Sequence, residues 1–167
     1  MRARALQYLA RREYSRTELR GKLLPHLKRS EGFGQPFDSS GDSSGDSPGD
    51  SFGFADLDAL LDDLTARGWL SDVRAATQLL HAKRNRFGTQ RIAHDLRQKG
   101  IPEELVSAAL PALRESELEA ARSVWQRKFG ALPQDAKEKA RQMRFLQSRG
   151  FGFEVIFQVL RISGAED

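Results

Sequence analysis

The stretch from Leu96 to Leu110 runs a basic helix into a glycine and starts an acidic helix directly behind it: Leu96-Arg97-Gln98-Lys99-Gly100-Ile101-Pro102-Glu103-Glu104-Leu105. Gly100 can take the left-handed conformation that closes a helix, and Pro102 suits a first helical turn. Glu103 and Glu104 lie where the helix dipole favours negative charge. The same phrase returns as Phe145-Leu146-Gln147-Ser148-Arg149-Gly150-Phe151, continues through Phe153-Glu154-Val155-Ile156 and closes on Val159-Leu160. A weaker echo passes through Leu19-Arg20-Gly21-Lys22-Leu23 and Gly32-Phe33, is interrupted, and resumes from Leu57 to Leu64. Repetition of one helix–turn–helix phrase constrains a chain to stacked helical bricks. No period-two alternation persists, so no sheet is expected.

Local signals mark out the helices. The first spans about Arg2 to Arg12, with Leu6, Leu9 and Tyr14 turned inward. Ser15 and Glu18 have capping-box spacing and open a second helix, whose Leu19, Leu23 and Leu27 recur at a spacing of four. Pro25 is expected to end or kink it. A third runs from Leu57 to Leu64 and stops at Gly68. Ser71 caps a fourth, with Val73, Ala76, Leu79 and Leu80 inside, and Thr89 caps a fifth around Ile92 and Leu96. Pro111 ends or bends the acidic sixth helix. Ser116 and Glu119 repeat the capping-box spacing and start a seventh, with Leu118, Ala121, Trp125 and Phe129 as its buried stripe. The eighth turns Ala136, Ala140 and Met143 inward, and the last is the apolar helix from Phe153.

Residues 30–53 differ in kind. Asp38-Ser39-Ser40-Gly41 leads a run of Asp-Ser-x-Gly tetrads that ends at Gly53. Such a tetrad is too polar to bury and too rich in glycine to hold a helix, so a disordered, low-complexity acidic insert is expected. The spacing and closing glutamate of a calcium-binding EF-hand are missing. The expected fold is therefore all-α, with about nine helices in three tandem three-helix repeats (1–67, 68–114 and 115–167) forming an elongated modular body.

Net charge is +4 over 167 residues, but it is strongly blocked. Residues 1–29 carry +7, residues 74–99 carry +6 and residues 122–149 carry +6, whereas 30–53, 54–73 and 100–121 carry −5, −4 and −4. Blocks of this kind suggest opposite-signed faces, and a basic face attracts a polyanion or an acidic protein. The cations singled out are Arg11, Arg12, Arg16, Arg20 and Lys22 in the first repeat. Lys83, Arg84, Arg86, Arg91, Arg97 and Lys99 form the second set, and Arg141, Arg144 and Arg149 the third.

Catalytic constellations are absent from the sequence. His26, His81 and His94 have no partners at metal-ligand spacing, and there is neither a phosphate-binding glycine loop nor a nucleophile elbow. Asp62 and Asp63 are adjacent and diverge by about 100° on a helix. Without cysteine there is no disulfide or thiolate metal site. No apolar window reaches the roughly 18 residues of a membrane span, and no signal-peptide core opens the chain. A cytoplasmic, non-enzymatic protein without cofactor is expected. Sequence-specific reading by a helix-turn-helix is disfavoured, because the candidate recognition helices carry Glu103 and Glu104, or Asp56, Asp58, Asp62 and Asp63, or form the apolar helix from Phe153, expected to be buried. Charge contact with a nucleic-acid backbone through the other helices stays open.

The chain resembles the RecX regulators. The resemblance rests on Ala5 to Leu23 in the first repeat and on Gly68-Trp69-Leu70-Ser71-Asp72, Arg74-Ala75-Ala76, Arg91-Ile92, Leu96 and Lys99-Gly100-Ile101 in the second. In the third it rests on Phe145 to Phe151 with Ile156 and Leu160. The family usually has Asp-Asp where this chain has Ser71-Asp72, and a phenylalanine where Ala75 stands. The resemblance implies a monomer that lies along the groove of the RecA–single-stranded DNA filament and inhibits its recombinase, ATPase and coprotease activities. The three cation sets would touch the filament and its DNA. The alternative is a stand-alone, non-sequence-specific nucleic-acid-binding helical protein.

Overall fold

The computed structural model describes residues 1–30 and 52–162, so the tetrads expected to be disordered lie outside the described residues. Every regular element described is a helix: α1 (Arg2–Leu9), α2 (Arg16–Ser30), α3 (Phe54–Ala66), α4 (Asp72–Lys83), α5 (Thr89–Gln98), α6 (Glu103–Lys128), α7 (Ala136–Ser148) and α8 (Phe153–Ile162). The chain is all-α, as expected, with eight described helices where about nine were anticipated. It divides into two compact units, Met1–Ser71 and Asp72–Asp167.

In the first unit α2 opens on the expected capping box. The Glu18 amide donates to Ser15 Oγ at 3.1 Å, and the Ser15 amide donates to Glu18 Oε2 at 3.3 Å. Leu19, Leu23 and Leu27 bury against Ala5, Tyr14, Leu57, Leu61, Leu64 and Leu70. Gly21 sits inside α2 and not in a turn, and α2 continues through Pro25. Pro25 lies on the exposed side, so its ring disturbs no packing while the leucine stripe keeps the helix docked.

Helices α3, α5 and α7 end identically. Gly68, Gly100 and Gly150 have φ of 72°, 67° and 84°. The residue after each glycine donates back to Leu64, Leu96 or Leu146 (Leu70 shares the Leu64 carbonyl with Trp69), and each glycine amide donates to Thr65, Arg97 or Gln147. This is the Schellman closure, in which a left-handed glycine lets two otherwise orphaned carbonyls be satisfied. The apolar partners beyond the turns, Ile101 and Phe151, are buried with Leu96 and Leu146.

The second unit departs from the local signals in four places. First, α6 runs unbroken for 26 residues through Pro111, and Ser116 Oγ donates to the carbonyls of Ala112 and Leu113 instead of capping a new helix. Val106, Leu113, Ala120, Ala121, Val124 and Trp125 bury along α6, and that burial outweighs one lost backbone hydrogen bond at an exposed proline. Second, Val73 is 56% exposed, and α4 buries Ala75, Ala76 and Leu79. Third, Thr89 is the first residue of α5 and does not cap it; Gly88 is the N-cap. Fourth, Ala136 and Ala140 are exposed, and α7 buries Gln142 and Leu146. Asp135 caps α7, accepting from the Glu138 amide at 2.7 Å. Gln142 is buried because both ends of its amide are used: Oε1 accepts from Trp125 Nε1 at 2.7 Å, and Nε2 donates to the Ala131 carbonyl at 3.1 Å.

Candidate functional site

The cations of the first unit turn largely toward its own acids. Arg16 lies 2.7 Å from Asp62 and Arg20 lies 2.9 Å from Asp58, which joins α2 to α3 across the segment that separates them in sequence. Arg2 and Arg67 share Asp63. Arg12 stacks 3.8 Å above the centre of the Tyr14 ring and reaches Glu18 at 3.1 Å. Two blocks that read as separate faces in sequence are therefore counter-ions in the fold. Arg11 and Lys22 are exposed and have no carboxylate partner among the described residues.

These pairs tune the acids. The hydrogen bond from Arg20 holds Asp58 below the ordinary aspartate range, and the bond from Arg67 does the same for Asp63. A carboxyl whose pKa is depressed on folding stabilises the fold above its unfolded pKa, and that contribution is lost as pH falls through the folded value. The melting temperature of the first unit should therefore be flat above about pH 5 and fall below about pH 4. Arg20→Ala with Arg67→Ala should flatten that acid limb in low salt, and an unchanged pH profile would contradict the assignment. Because both carboxyls are partly open to solvent, added salt should shrink the effect.

The second unit brings sequence-predicted residues from two repeats to one place. The Gly88 amide donates to the Arg149 carbonyl at 2.9 Å, so the turn before α5 sits directly on the turn after α7. Contact is backbone to backbone: a Cβ on Gly88 would meet the Gly150 carbonyl oxygen at 2.1 Å, and one on Gly150 would meet Arg91 Cβ at 2.3 Å. Around this clamp Phe87 is ringed by Arg149 at 5.3 Å, Lys83 at 5.5 Å and Arg91 at 6.0 Å. Arg149 also lies 5.3 Å from the Phe145 ring, and its Nη1 donates to the Arg86 carbonyl at 3.4 Å. Lys83 and Arg91 share Asp95. Arg84 and Arg86 are exposed and have no acidic partner among the described residues.

Not every candidate joins this cluster. Arg97 is held by Glu103 in a two-pronged pair at 2.7 and 2.9 Å, which lowers the Glu103 pKa and raises that of Arg97. Lys99 is half-buried beyond the end of α5. Arg141 and Arg144 are exposed on α7, and Arg144 donates to the Ala140 carbonyl. Phe87, Phe145, Gly88 and Glu117 carry roles that sequence reading missed. Glu117 is buried on α6 and accepts from both the Thr89 amide (3.1 Å) and the Thr89 hydroxyl (3.0 Å), so a remote carboxylate serves the start of α5. The one local hint is the glycine at position 88 directly before Thr89.

Chemically, the clamp sets three cations, Lys83, Arg91 and Arg149, against the Phe87 ring, with Arg149 also on Phe145; Asp95 offsets Lys83 and Arg91, and the exposed Arg84 and Arg86 lie in the connection that carries Phe87. Guanidinium groups lying over rings keep their outward N–H donors available for carboxylates or phosphates. Helix α8 adds a second feature. Expected to be buried, it leaves Phe153 and Phe157 exposed at 55% and 45% while Ile156 and Val159 face the core. Exposed aromatics one turn apart suit a protein contact. Among the described residues, no group of three or more His, Cys, Asp or Glu could hold a metal ion, and no helix is long and apolar enough to cross a membrane.

Comparison with known proteins gives concordant matches. Family models for the second and third three-helix domains of RecX match residues 71–110 and 115–160. A protein named regulatory protein RecX from Leptothrix cholodnii is 45% identical over 99% of this chain and 90% of its own length. Its namesake from Chromobacterium violaceum is 41% identical over 100% of this chain and 92% of its own length. The crystal structure of RecX from Lactobacillus salivarius superposes with a TM-score of 0.69 at 16% identity, covering 98% of this chain and 94% of that one.

Proposed function

This chain belongs to the RecX family of regulatory proteins, and we propose that it binds the RecA–single-stranded DNA filament and inhibits its recombinase, ATPase and coprotease activities. The observation that carries the reading is the cationic cluster at the Gly88–Gly150 clamp. There Lys83 and Arg91 from one repeat and Arg149 from the next surround Phe87, and the exposed Arg84 and Arg86 lie in the connection that carries that ring. The reading takes the chain as a cytoplasmic monomer of three bricks, 1–67, 68–114 and 115–167, acting by binding and without catalysis. A filament repeats its protomers, so one brick's weak contact raises the effective concentration of the next. Cations at the clamp would meet acidic or phosphate groups of the filament, and Phe153 and Phe157 would supply apolar anchors for a protein surface.

The test is a titration of the full chain into preformed filaments. Suppression of recombinase ATPase well below one-to-one stoichiometry is expected, whereas no effect at equal concentration would sink the proposal. The rival, a nucleic-acid binder acting alone, predicts the same affinity for bare and for recombinase-coated single strands at physiological salt.

A further inference from the structure

Helix α8 turns Ile156 and Val159 into the core of the second unit and carries a separate stripe on its opposite side. Glu154, Phe157, Gln158 and Arg161 follow at i, i+3, i+4 and i+7, which gathers them within about 100° of arc. All four are exposed, and together they line one shallow surface hollow. Glu154 lies in the first turn of α8 and Arg161 in the last. They are two turns apart, about 10 Å of helix rise, so they do not meet each other. Neither has an ion-pair partner among the described residues. The stripe therefore reads anion, aromatic, cation along the helix, and its charges cancel.

We propose that this stripe takes a second copy of this chain, with the two α8 helices packed antiparallel about a two-fold axis. The sequence midpoint of Glu154 and Arg161 falls between Phe157 and Gln158. An axis at that point sets Glu154 of each protomer against Arg161 of its partner and puts the Phe157 rings at the centre. The i, i+3, i+4, i+7 spacing is that of a helix–helix seam, and antiparallel packing opposes the two helix dipoles. A polyanion gains nothing from a stripe whose charges cancel. An unrelated protein must present the reverse order of charges by its own design, whereas a second copy presents it by symmetry. Helices about 15 Å long bury less than the roughly 1,200 Å² of a stable interface, so the pairing is weak and concentration-dependent. Phe157 is also an anchor in the filament reading. Pairing withholds it, which leaves the monomer as the inhibitory form, and that consequence alone rests on the filament reading.

The experiment is sedimentation equilibrium of the full chain, with neither recombinase nor nucleic acid present. The apparent mass should start at 18.8 kDa and climb toward twice that value as concentration rises. The climb should fall between about 1 and about 300 μM, as a small interface requires. Arg161→Glu makes the stripe acidic at both ends and turns two attractions into two repulsions, so the dissociation constant should rise about tenfold. Glu154→Arg makes it basic at both ends and should do the same. An equimolar mixture of these two variants should associate again, because each then complements the other. The double variant Glu154→Arg with Arg161→Glu restores the antiparallel match and should pair with itself like the parent, which separates a lost contact from a misfolded helix. A parent that stays monomeric would leave the filament reading standing and overturn the pairing. Association that Arg161→Glu leaves unchanged would place the contact on another surface, and a double variant as weak as the single ones would rule out the antiparallel match.

Discussion

Replacing Gly88 by alanine should lower the melting temperature of the second unit by about 10–20 °C, which corresponds to roughly 3 kcal/mol for a unit of this size. The backbone at Gly88 (φ −76°, ψ 165°) is open to any residue, so the cost is not conformational. It is steric. The added methyl would meet the Gly150 carbonyl oxygen at 2.1 Å and the Phe151 amide nitrogen at 2.4 Å, and both are backbone atoms that cannot rotate away. Relief requires the two turns to separate, which would break the Gly88–Arg149 hydrogen bond and uncouple α5 from the α7–α8 turn. Gly68→Ala is the control. Its φ of 72° makes alanine costly, but nothing lies within 4 Å, so only the left-handed penalty of about 1–2 kcal/mol applies, and it falls on the first unit. If Gly88→Ala melts like the parent by calorimetry, the clamp does not hold the unit together.

Features fixed within one or two turns of chain were legible in the sequence. Ser15 and Glu18 form their box, and Gly100 and Gly150 close helices as read, because each answers to neighbours a few residues away. The misreadings share one cause. Pro111 and Ser116 carry genuine local stop and start signals, yet the apolar side of α6 buries so continuously that the helix continues. Thr89 looks like a cap until Glu117, 28 residues on, takes its amide and hydroxyl. Val73 and Ala75 compete for the inward register of α4, and close packing selects the smaller side chain. The charge blocks were visible as blocks. Which acid answers which base was not, because the pairing of Arg16 and Arg20 with Asp62 and Asp58 spans about 40 residues of chain. Phe87 and Phe145 gave no periodic signal as ring platforms, and their role appears only once Arg149 is placed between them.

Arg84→Glu with Arg86→Glu should raise the concentration of protein needed to half-inhibit recombinase ATPase by about 100-fold, with no change in melting temperature. Both side chains are exposed and have no acidic partner among the described residues, so the fold gains nothing from their charge. At an acidic or phosphate-bearing surface each reversal removes an attraction and adds a repulsion. Two such changes at about 1.4 kcal/mol apiece give that factor. Arg16→Glu with Arg20→Glu is the opposite case: it places four carboxylates against one another, so it should lower the stability of the first unit and leave inhibition by the protein that remains folded near parental. Phe157→Asp separates protein contact from charge contact, because it should weaken inhibition while leaving the salt dependence unchanged. Parental inhibition by the Arg84/Arg86 variant would remove the clamp from the interface and leave the α8 aromatics as its remaining candidate.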